Sequence, residues 1–273
     1  MIILTSALYK EILQHIKNFP GLSIECFHHL HHLYPHFSPR TLWSILSWEH
    51  RERMPENAQQ ISDNSPELLQ EYEKRLERDP SSAFALLVMA AEKKYSPYML
   101  SQALIKEKLK TSDGKASRLL NNPSRIADEV LRLNVQQCIE LDNLMGPVPD
   151  AYRDAIGVFF EEMLYDTLKK ARIEFHTEKD LRRMGFRKTP DARLLSRCFY
   201  RGQRIHWIES KAFFGNSLNH SDVFRRQLAP YLHDFGPGIV IYWMGFVEDI
   251  LDYGPDIHVR CDFPGPQELF VEF

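Results

Sequence analysis

No CxxC pair occurs among the four cysteines; Cys26, Cys138, Cys198 and Cys261 lie far apart. That spacing supplies neither a zinc knuckle nor a disulfide framework, so free thiols in a reducing compartment are expected, in nucleus and cytoplasm. No apolar run reaches the roughly 18 residues of a membrane span, so no membrane partner is expected. The start, Met1-Ile2-Ile3-Leu4-Thr5, puts no basic region before a long apolar block, which gives no expectation of a secretory signal. An excess of one charge sign is also missing. A net charge of −3 excludes a protein that grips nucleic acid with a uniformly basic surface. What is present is the balance of a soluble globular protein, 44% hydrophobic and 26% charged, and 273 residues are enough for two domains.

The charge is unevenly spread. Between Arg182 and Arg226 the chain carries eleven Lys and Arg against three acids, Asp191, Glu209 and Asp222. A local basic excess around a pair of carboxylates suits a polyanion, and it equally suits a solvated basic face.

The first half reads as helical. Leu8, Ile12 and Ile16 recur at helical spacing over residues 6–19, and Pro20-Gly21 breaks the pattern. A second helix is expected over residues 23–34, with Ile24, Phe27, Leu30 and Leu33 on one face. Ser38-Pro39 opens a third, with serine as N-cap and proline in the first turn. The string Phe37-Ser38-Pro39-Arg40-Thr41-Leu42 is echoed 58 residues later by Tyr95-Ser96-Pro97-Tyr98-Met99-Leu100. Leu46 then aligns with Leu104 and Glu49 with Glu107. The spacing predicts two related helix-turn-helix-like modules, residues 1–55 and 65–110, joined by a polar linker over 57–65. Arg40, Trp43 and His50 in one copy and Lys106, Lys108 and Lys110 in the other are few for a DNA-reading helix, and a packing role is the plainer reading. His28, His29, His31, His32 and His36 lack the cysteine or carboxylate partners of a metal site, and read as a solvated helix surface. Asp113-Gly114 is expected to end this part, and Asn122-Pro123-Ser124 to start a helix running to about residue 142. A domain of residues 1–121 and another of 122–273 are expected.

Beyond a break at Gly146-Pro147-Val148-Pro149, residues 150–170 read as a long helix with Ile156, Phe160, Met163, Leu164 and Thr167 inward and Glu161 and Glu162 beside them. A short strand (173–176), a small helix (180–184), two strands (191–199 and 203–212), a helix (221–233) and an apolar strand (239–244) follow, with a last strand near 258–263. Glu209 and Lys211 are two apart on a strand and share a face. A hairpin turn at Arg201-Gly202 would bring Asp191 beside them. Singly, Asp191 also suits a turn after Pro190, and Glu209 with Lys211 a surface pair. Together, two carboxylates and an ammonium are expensive to assemble for stability alone, and hard oxygen donors suit Mg²⁺ or Mn²⁺. The constellation reads as a metal-dependent nuclease site. His206 and Trp207 read as packing, and Cys198 and Cys261 as core thiols.

The order helix-Glu, Pro-Asp, Glu-x-Lys resembles the PD-(D/E)xK nuclease superfamily, and Gln227-Leu228-Ala229-Pro230-Tyr231 resembles the QxxxY helix of its RecB-like branch. Three longer strings resemble the codanin-interacting nuclease family, whose hallmark is Thr-Pro-Asp. They are Lys188-Thr189-Pro190-Asp191, His206-Trp207-Ile208-Glu209-Ser210-Lys211-Ala212 and Phe235-Gly236-Pro237-Gly238-Ile239-Val240-Ile241-Tyr242-Trp243. The resemblance covers nearly the whole chain. It implies helix-turn-helix-like modules followed by a restriction-endonuclease-like α/β/α sandwich, and a metal-dependent phosphodiester hydrolase, in form a structure-specific DNA endonuclease. Asp191, Glu209 and Glu161 would bind Mg²⁺ or Mn²⁺, with Glu162 as the substitute for Glu161. Lys211 would face the phosphate and not serve as an ion-pair partner for Glu209. Gln227 and Tyr231 would buttress the site or contact nucleic acid. Codanin is the implied partner, and the alternative is a dormant nuclease fold that acts by binding codanin.

Overall fold

A computed structural model describes residues 2–252 and 254–272; Met1, Tyr253 and Phe273 lie outside them. The chain begins with β1 (Ile3–Leu4) and continues as helices: α1 (Ser6–Asn18), α2 (Ser23–Leu33), α3 (Pro39–Asp63), α4 (Ser65–Arg78), α5 (Ala85–Lys93), α6 (Pro97–Lys108), α7 (Asp113–Leu120), α8 (Glu129–Leu141) and α9 (Pro147–Lys170). Then come β2 (Phe175–Thr177), α10 (Glu178–Arg183), β3 (Ala192–Tyr200), β4 (Gln203–Lys211) and α11 (Ser217–Val223). A π-turn (Phe224–Leu228) runs into α12 (Ala229–Phe235), and β5 (Gly238–Tyr242), β6 (Phe246–Val247), β7 (Ile257–Arg260) and β8 (Leu269–Glu272) complete the chain. The class is mixed α/β.

Two compact units interleave along the chain. One takes in the chain up to Ile12, His36–Ser44 and everything from Asp154; the other is Leu13–Pro35 with Ile45–Arg153.

In the helical unit the Ser-Pro signal is expressed at Ser96, whose side chain accepts from the Met99 N–H at 3.2 Å. Leu46 and Leu104, aligned by the repeat, are both fully buried. Other expectations need correction. Residues 57–63 are not a linker but the last two turns of α3. Ala58, Gln59 and Gln60 are good helix formers, Gln60 donates to Glu56 and Gln59 to Asp63 four residues apart, and Ile61 is buried. Asp113-Gly114 does not end the helices but opens α7, and Asn122-Pro123-Ser124 begins only a single 3₁₀ turn. The long helix there starts later, where Asp128 caps α8 by accepting from the Leu131 N–H. On α2 the buried face is Cys26 and Leu30, with Leu33 exposed, and His28, His29 and His32 face outward; His36, past the helix, is exposed too.

The other unit holds a mixed sheet of order β2-β3-β4-β5-β7, with β8 pairing the outer half of β3. β3 and β4 form a hairpin whose turn is Arg201-Gly202, both at positive φ (48° and 84°). That is the handedness a two-residue hairpin turn requires, and glycine supplies half of it without strain. β4, β5 and β7 run parallel. β5 is buried at every residue, as a strand covered on both faces must be. Leu164 and Leu168 put one stripe of α9 on one face, against Ile208, Ile239 and Ile241, and Phe160 continues it by stacking on Trp243 at 5.4 Å. Leu228 and Tyr231 cover the other face, against Trp207, Val240 and Tyr242. β1 and β6 pair in parallel as a separate small sheet. β1, β6 and β8 were not expected from the sequence.

Gly238 pairs with Trp207 across β4 and β5, and a Cβ there would lie 2.2 Å from the indole ring. The fully buried indole donates to the Gly236 carbonyl at 2.7 Å and has no room to move. Gly238→Ala is therefore expected to lose about 3 kcal/mol, the upper end of overpacking costs, by urea denaturation. A loss below about 0.5 kcal/mol would show that the ring yields.

Candidate active site

The hairpin sets the geometry. The ladder pairs Ala192 with Ile208 and Arg193 with Trp207, so one step earlier Asp191 comes opposite Glu209. Two hydrogen bonds bind them across the strands: the Asp191 N–H donates to Glu209 Oε2 at 3.2 Å, and the Ser210 N–H donates to Asp191 Oδ2 at 2.7 Å. Strand alternation points Glu209 and Lys211 to the same face, the one covered by the π-turn and α12. Glu209 is 2% exposed. Lys211 Nζ lies 2.6 Å from Glu209 Oε1. The expectation that Lys211 is not an ion-pair partner for Glu209 is corrected here: on one strand face, two residues apart, with Glu209 buried and the lysine side chain 13% exposed, the charges meet because little water reaches either.

Pro190 and Thr189 set the approach to Asp191. Both are buried, and the Thr189 carbonyl accepts from the Tyr231 hydroxyl at 3.0 Å. Tyr231 thus ties α12 to the loop that delivers Asp191, with its ring edge-on to Trp207 at 5.5 Å. Gln227 lies in the π-turn, with a buried Oε1 that no described group donates to. A π-turn shifts the helical register by one residue and so re-aims the next turn of helix. Gln227 is not bonded to the carboxylates. Tyr231→Phe removes a single hydrogen bond and is expected to cost about 1 kcal/mol of stability. The readout is urea denaturation, and no loss at all would show that the Thr189 contact does not hold the loop.

Burial separates Glu161 from Glu162: Glu161 is half-buried, Glu162 exposed. Burial, then Glu178, then Glu209 push the Glu161 carboxyl above its ordinary range. Asp191 is pushed well above its ordinary range by burial and by Glu209, with Lys211 opposing. Burial works against the charge on Lys211, but Glu209 and Asp191 outweigh it and hold the ammonium above the usual lysine range. Among the described residues no group of three or more His, Cys, Asp or Glu is gathered to hold a metal ion. Asp191 and Glu209 converge, and Glu161 acts on them through space.

Glu178 joins this cluster and was not anticipated. It opens α10, accepts from Thr189 Oγ1 at 3.2 Å, and is paired with Arg182. The signal available was the Thr177/Asp180 capping box, which places Glu178 in the first turn just ahead of Thr-Pro-Asp. With Glu178 matched by Arg182, three carboxylates (Glu161, Asp191, Glu209) share one ammonium (Lys211). Fully ionised, they leave two negative charges, three minus one, beside buried strands. Oxygen donors and excess negative charge are what a hard divalent cation takes, and of the three carboxylates Asp191 and Glu209 are the two that converge.

Around the cluster the basic residues stand in the open. Arg182, Arg183, Arg187 and Lys188 are exposed ahead of Asp191, as are Arg225 and Arg226 on the π-turn. Lys188 Nζ donates to the Arg226 carbonyl at 3.0 Å, which joins the two segments.

A family model described as "Protein of unknown function TPD sequence-motif" matches residues 127–263. A protein named CDAN1-interacting nuclease 1 from Mus musculus is 34% identical over 257 residues, covering 91% of this chain and 90% of its own. Its namesake from Xenopus laevis is 35% identical, covering 90% and 84%, and the one from Homo sapiens is 34% identical, covering 91% and 90%. No solved structure matches the chain.

Proposed function

Because the chain belongs to the CDAN1-interacting nuclease 1 family, we propose that it is a divalent-metal-dependent nuclease of PD-(D/E)xK type that cleaves phosphodiester bonds, in form a structure-specific DNA endonuclease. The observation that carries the reading is the opposed Asp191–Glu209 pair with Lys211 against it, buried at a strand end and bordered by exposed Arg and Lys. A structural ion pair needs one carboxylate; this one has a second and a third whose burial raises their pKa, a cost that stability does not explain.

Asp191 and Glu209 would hold Mg²⁺ or Mn²⁺, with Glu161 as a further ligand. Such an ion, when bound, supplies Lewis acidity and a more acidic water. The chain's own residues do the rest. Tyr231 fixes the Thr189-Pro190 loop and so the position of Asp191. The Ser210 N–H orients Asp191 Oδ2. Lys211, within reach of both carboxylates, offers an ammonium to offset charge that builds on phosphorus once Glu209 turns to a cation. The exposed arginines of the 182–188 and 225–226 segments would neutralise the flanking phosphates, Gln227 would contact the nucleic acid, and the buried Tyr231 would buttress the site.

The relatives' name also supplies a partner, and we propose that this chain binds codanin. The test of the enzymatic reading is cleavage of a panel of branched and linear DNA and RNA substrates with Mg²⁺ or Mn²⁺, with Asp191→Ala as the blank. Cutting of at least one substrate above the blank is expected. Equal cutting by both proteins, or none by either, would leave the fold as a codanin-binding adaptor.

A further inference from the structure

We propose that the helical unit carries a second anion site, a pocket for a phosphate dianion in which Arg51 is the main donor and Lys94 guards the mouth. The pocket lies between α3, the α1–α2 turn, the α5–α6 turn and the segment after α8, and has a volume of about 50 Å³. A cavity needs roughly 10–15 Å³ of such space to hold one water, so this one takes a few waters or one tetrahedral oxyanion.

The charges around it do not cancel. His50, Arg51, Arg53 and Lys94 line the pocket, against one acid, Asp142. Asp142 is fully spent: Oδ2 accepts from Ser96 Oγ at 2.5 Å and the Tyr98 N–H at 3.0 Å, and Oδ1 from the Leu144 and Met145 N–H groups at 3.0 and 2.9 Å. Arg53 is matched by Glu49, to which its Nε donates at 2.9 Å. Arg51 and Lys94 remain.

Arg51 is half-buried beside the Trp48 ring, its guanidinium 5.3 Å from the centroid. Its Nε is buried, and among the described residues nothing accepts from it. The nearby Asp150 is paired with Arg153. Burial, then the Arg153 charge, hold Arg51 below the usual arginine range, and burial, then Arg53, hold His50 down to about 4. Burial is the larger cause of both shifts, and for Arg51 the Asp150 and Glu52 carboxylates oppose it in part. A buried guanidinium with an unmet N–H is costly, and a phosphate oxygen is the partner its fork fits.

Lys94 adds an independent sign. It ends α5 in the left-handed region, φ 57°, where helices ordinarily place glycine. Its Nζ donates to the Lys17 backbone carbonyl at 3.1 Å, and among the described residues no carboxylate is paired with it. Two unmatched cations call for a dianion, which favours phosphate over a carboxylate. The remaining wall, with Phe19, Leu22, Met54 and Met99, is apolar and leaves room at the mouth for the body of a phosphomonoester.

The test is isothermal titration and thermal unfolding of the full chain with inorganic phosphate, then with O-phosphoserine and AMP, at constant ionic strength. Saturable binding and a raised melting temperature are expected, with Arg51→Met weakening binding by about tenfold or more. Arg51→Met should not lower the melting temperature without phosphate, since it removes an uncompensated charge, and Lys94→Gly should raise it while weakening binding. Tighter binding of either monoester than of phosphate would identify the ester as the ligand; equal binding would identify the free ion. No saturable binding up to on the order of 10 mM would overturn the proposal. So would unchanged binding in both variants, or a lowered melting temperature in Arg51→Met with full phosphate binding in Lys94→Gly.

Discussion

Asp191→Ala and Glu209→Ala are each expected to lower cleavage by at least about 10³-fold, beyond the 10- to 100-fold typical of groups that act only through a metal ligand. Asp191→Asn sharpens the test because it separates charge from shape. The amide oxygen can still accept from the Ser210 N–H, so the β3–β4 junction is kept. What disappears is one of the carboxylates that crowd Lys211. Asp191 has its pKa raised by burial and by Glu209, so the native state holds that proton more tightly than the unfolded chain does. Stability from this group is therefore present at low pH. It is lost as pH rises from the unfolded value, about 3.9, through the raised folded value. Asp191→Asn removes that loss, so the metal-free variant should match the parent only at about pH 3 and be more stable at about pH 8. Activity and stability then move in opposite directions, the signature of a carboxylate kept for function. Calorimetry should show Mn²⁺ binding in the parent and none in Asp191→Asn. Cleavage by the Asp191→Ala, Glu209→Ala double variant at the parental rate would sink the assignment.

The hairpin was readable because every part of it is local. Alternation in residues 191–211 fixes which residues share a face, and Arg201-Gly202 is a turn by composition. That turn alone would set Asp191 opposite Ala212; an irregularity in the ladder between Arg193 and Cys198 shifts the register and brings it opposite Glu209, and the composition does not announce that shift. α9 was readable from its stripe, although its start is at Pro147, because proline in a first turn costs no hydrogen bond. The missed parts depend on distant contacts or on chemistry without a period. β1 is two residues long and takes its partner from β6, near the other end of the chain. β8 is a strand only because the outer half of β3 needs a partner. The π-turn at Phe224–Leu228 interrupts a helix just ahead of Pro230, a residue that signals a break but not its kind. Glu178 enters the site through Thr189, a contact that exists only once α10 and the Thr-Pro-Asp loop are folded. The Lys211–Glu209 pairing was within reach of the pattern, since two residues on one strand face are neighbours. Their burial, which a local reading does not report, makes them partners and not a solvated pair.

Lys211→Met should divide the roles of that pair. The ammonium and the Glu209 carboxylate are 13% and 3% exposed, so solvent does little to screen them. Removing one partner of a buried pair costs about 3–5 kcal/mol, because the other is left as an uncompensated charge. Here the cost is compounded, since Asp191 and Glu161 lose the same counter-charge. The metal-free variant should thus be less stable than the parent by about that amount at pH 8, and the deficit should shrink toward pH 4 as the carboxyls take up protons. A divalent cation that binds the same carboxylates replaces the missing charge. Mn²⁺ at a hundredfold its dissociation constant returns about 2.7 kcal/mol, and the gain on adding it should be larger in Lys211→Met than in the parent, where Lys211 competes for Glu209. Cleavage should nevertheless fall by about 10²–10³-fold, the usual cost of losing one group that stabilises transition-state charge. Tighter metal with slower cutting is an outcome that neither a purely structural lysine nor a metal-positioning one produces. Denaturation in urea with and without Mn²⁺, then single-turnover cleavage at saturating metal, measures both. Equal stability of the two metal-free proteins, or an equal gain from Mn²⁺, would show that Lys211 and the cation do not share the carboxylates.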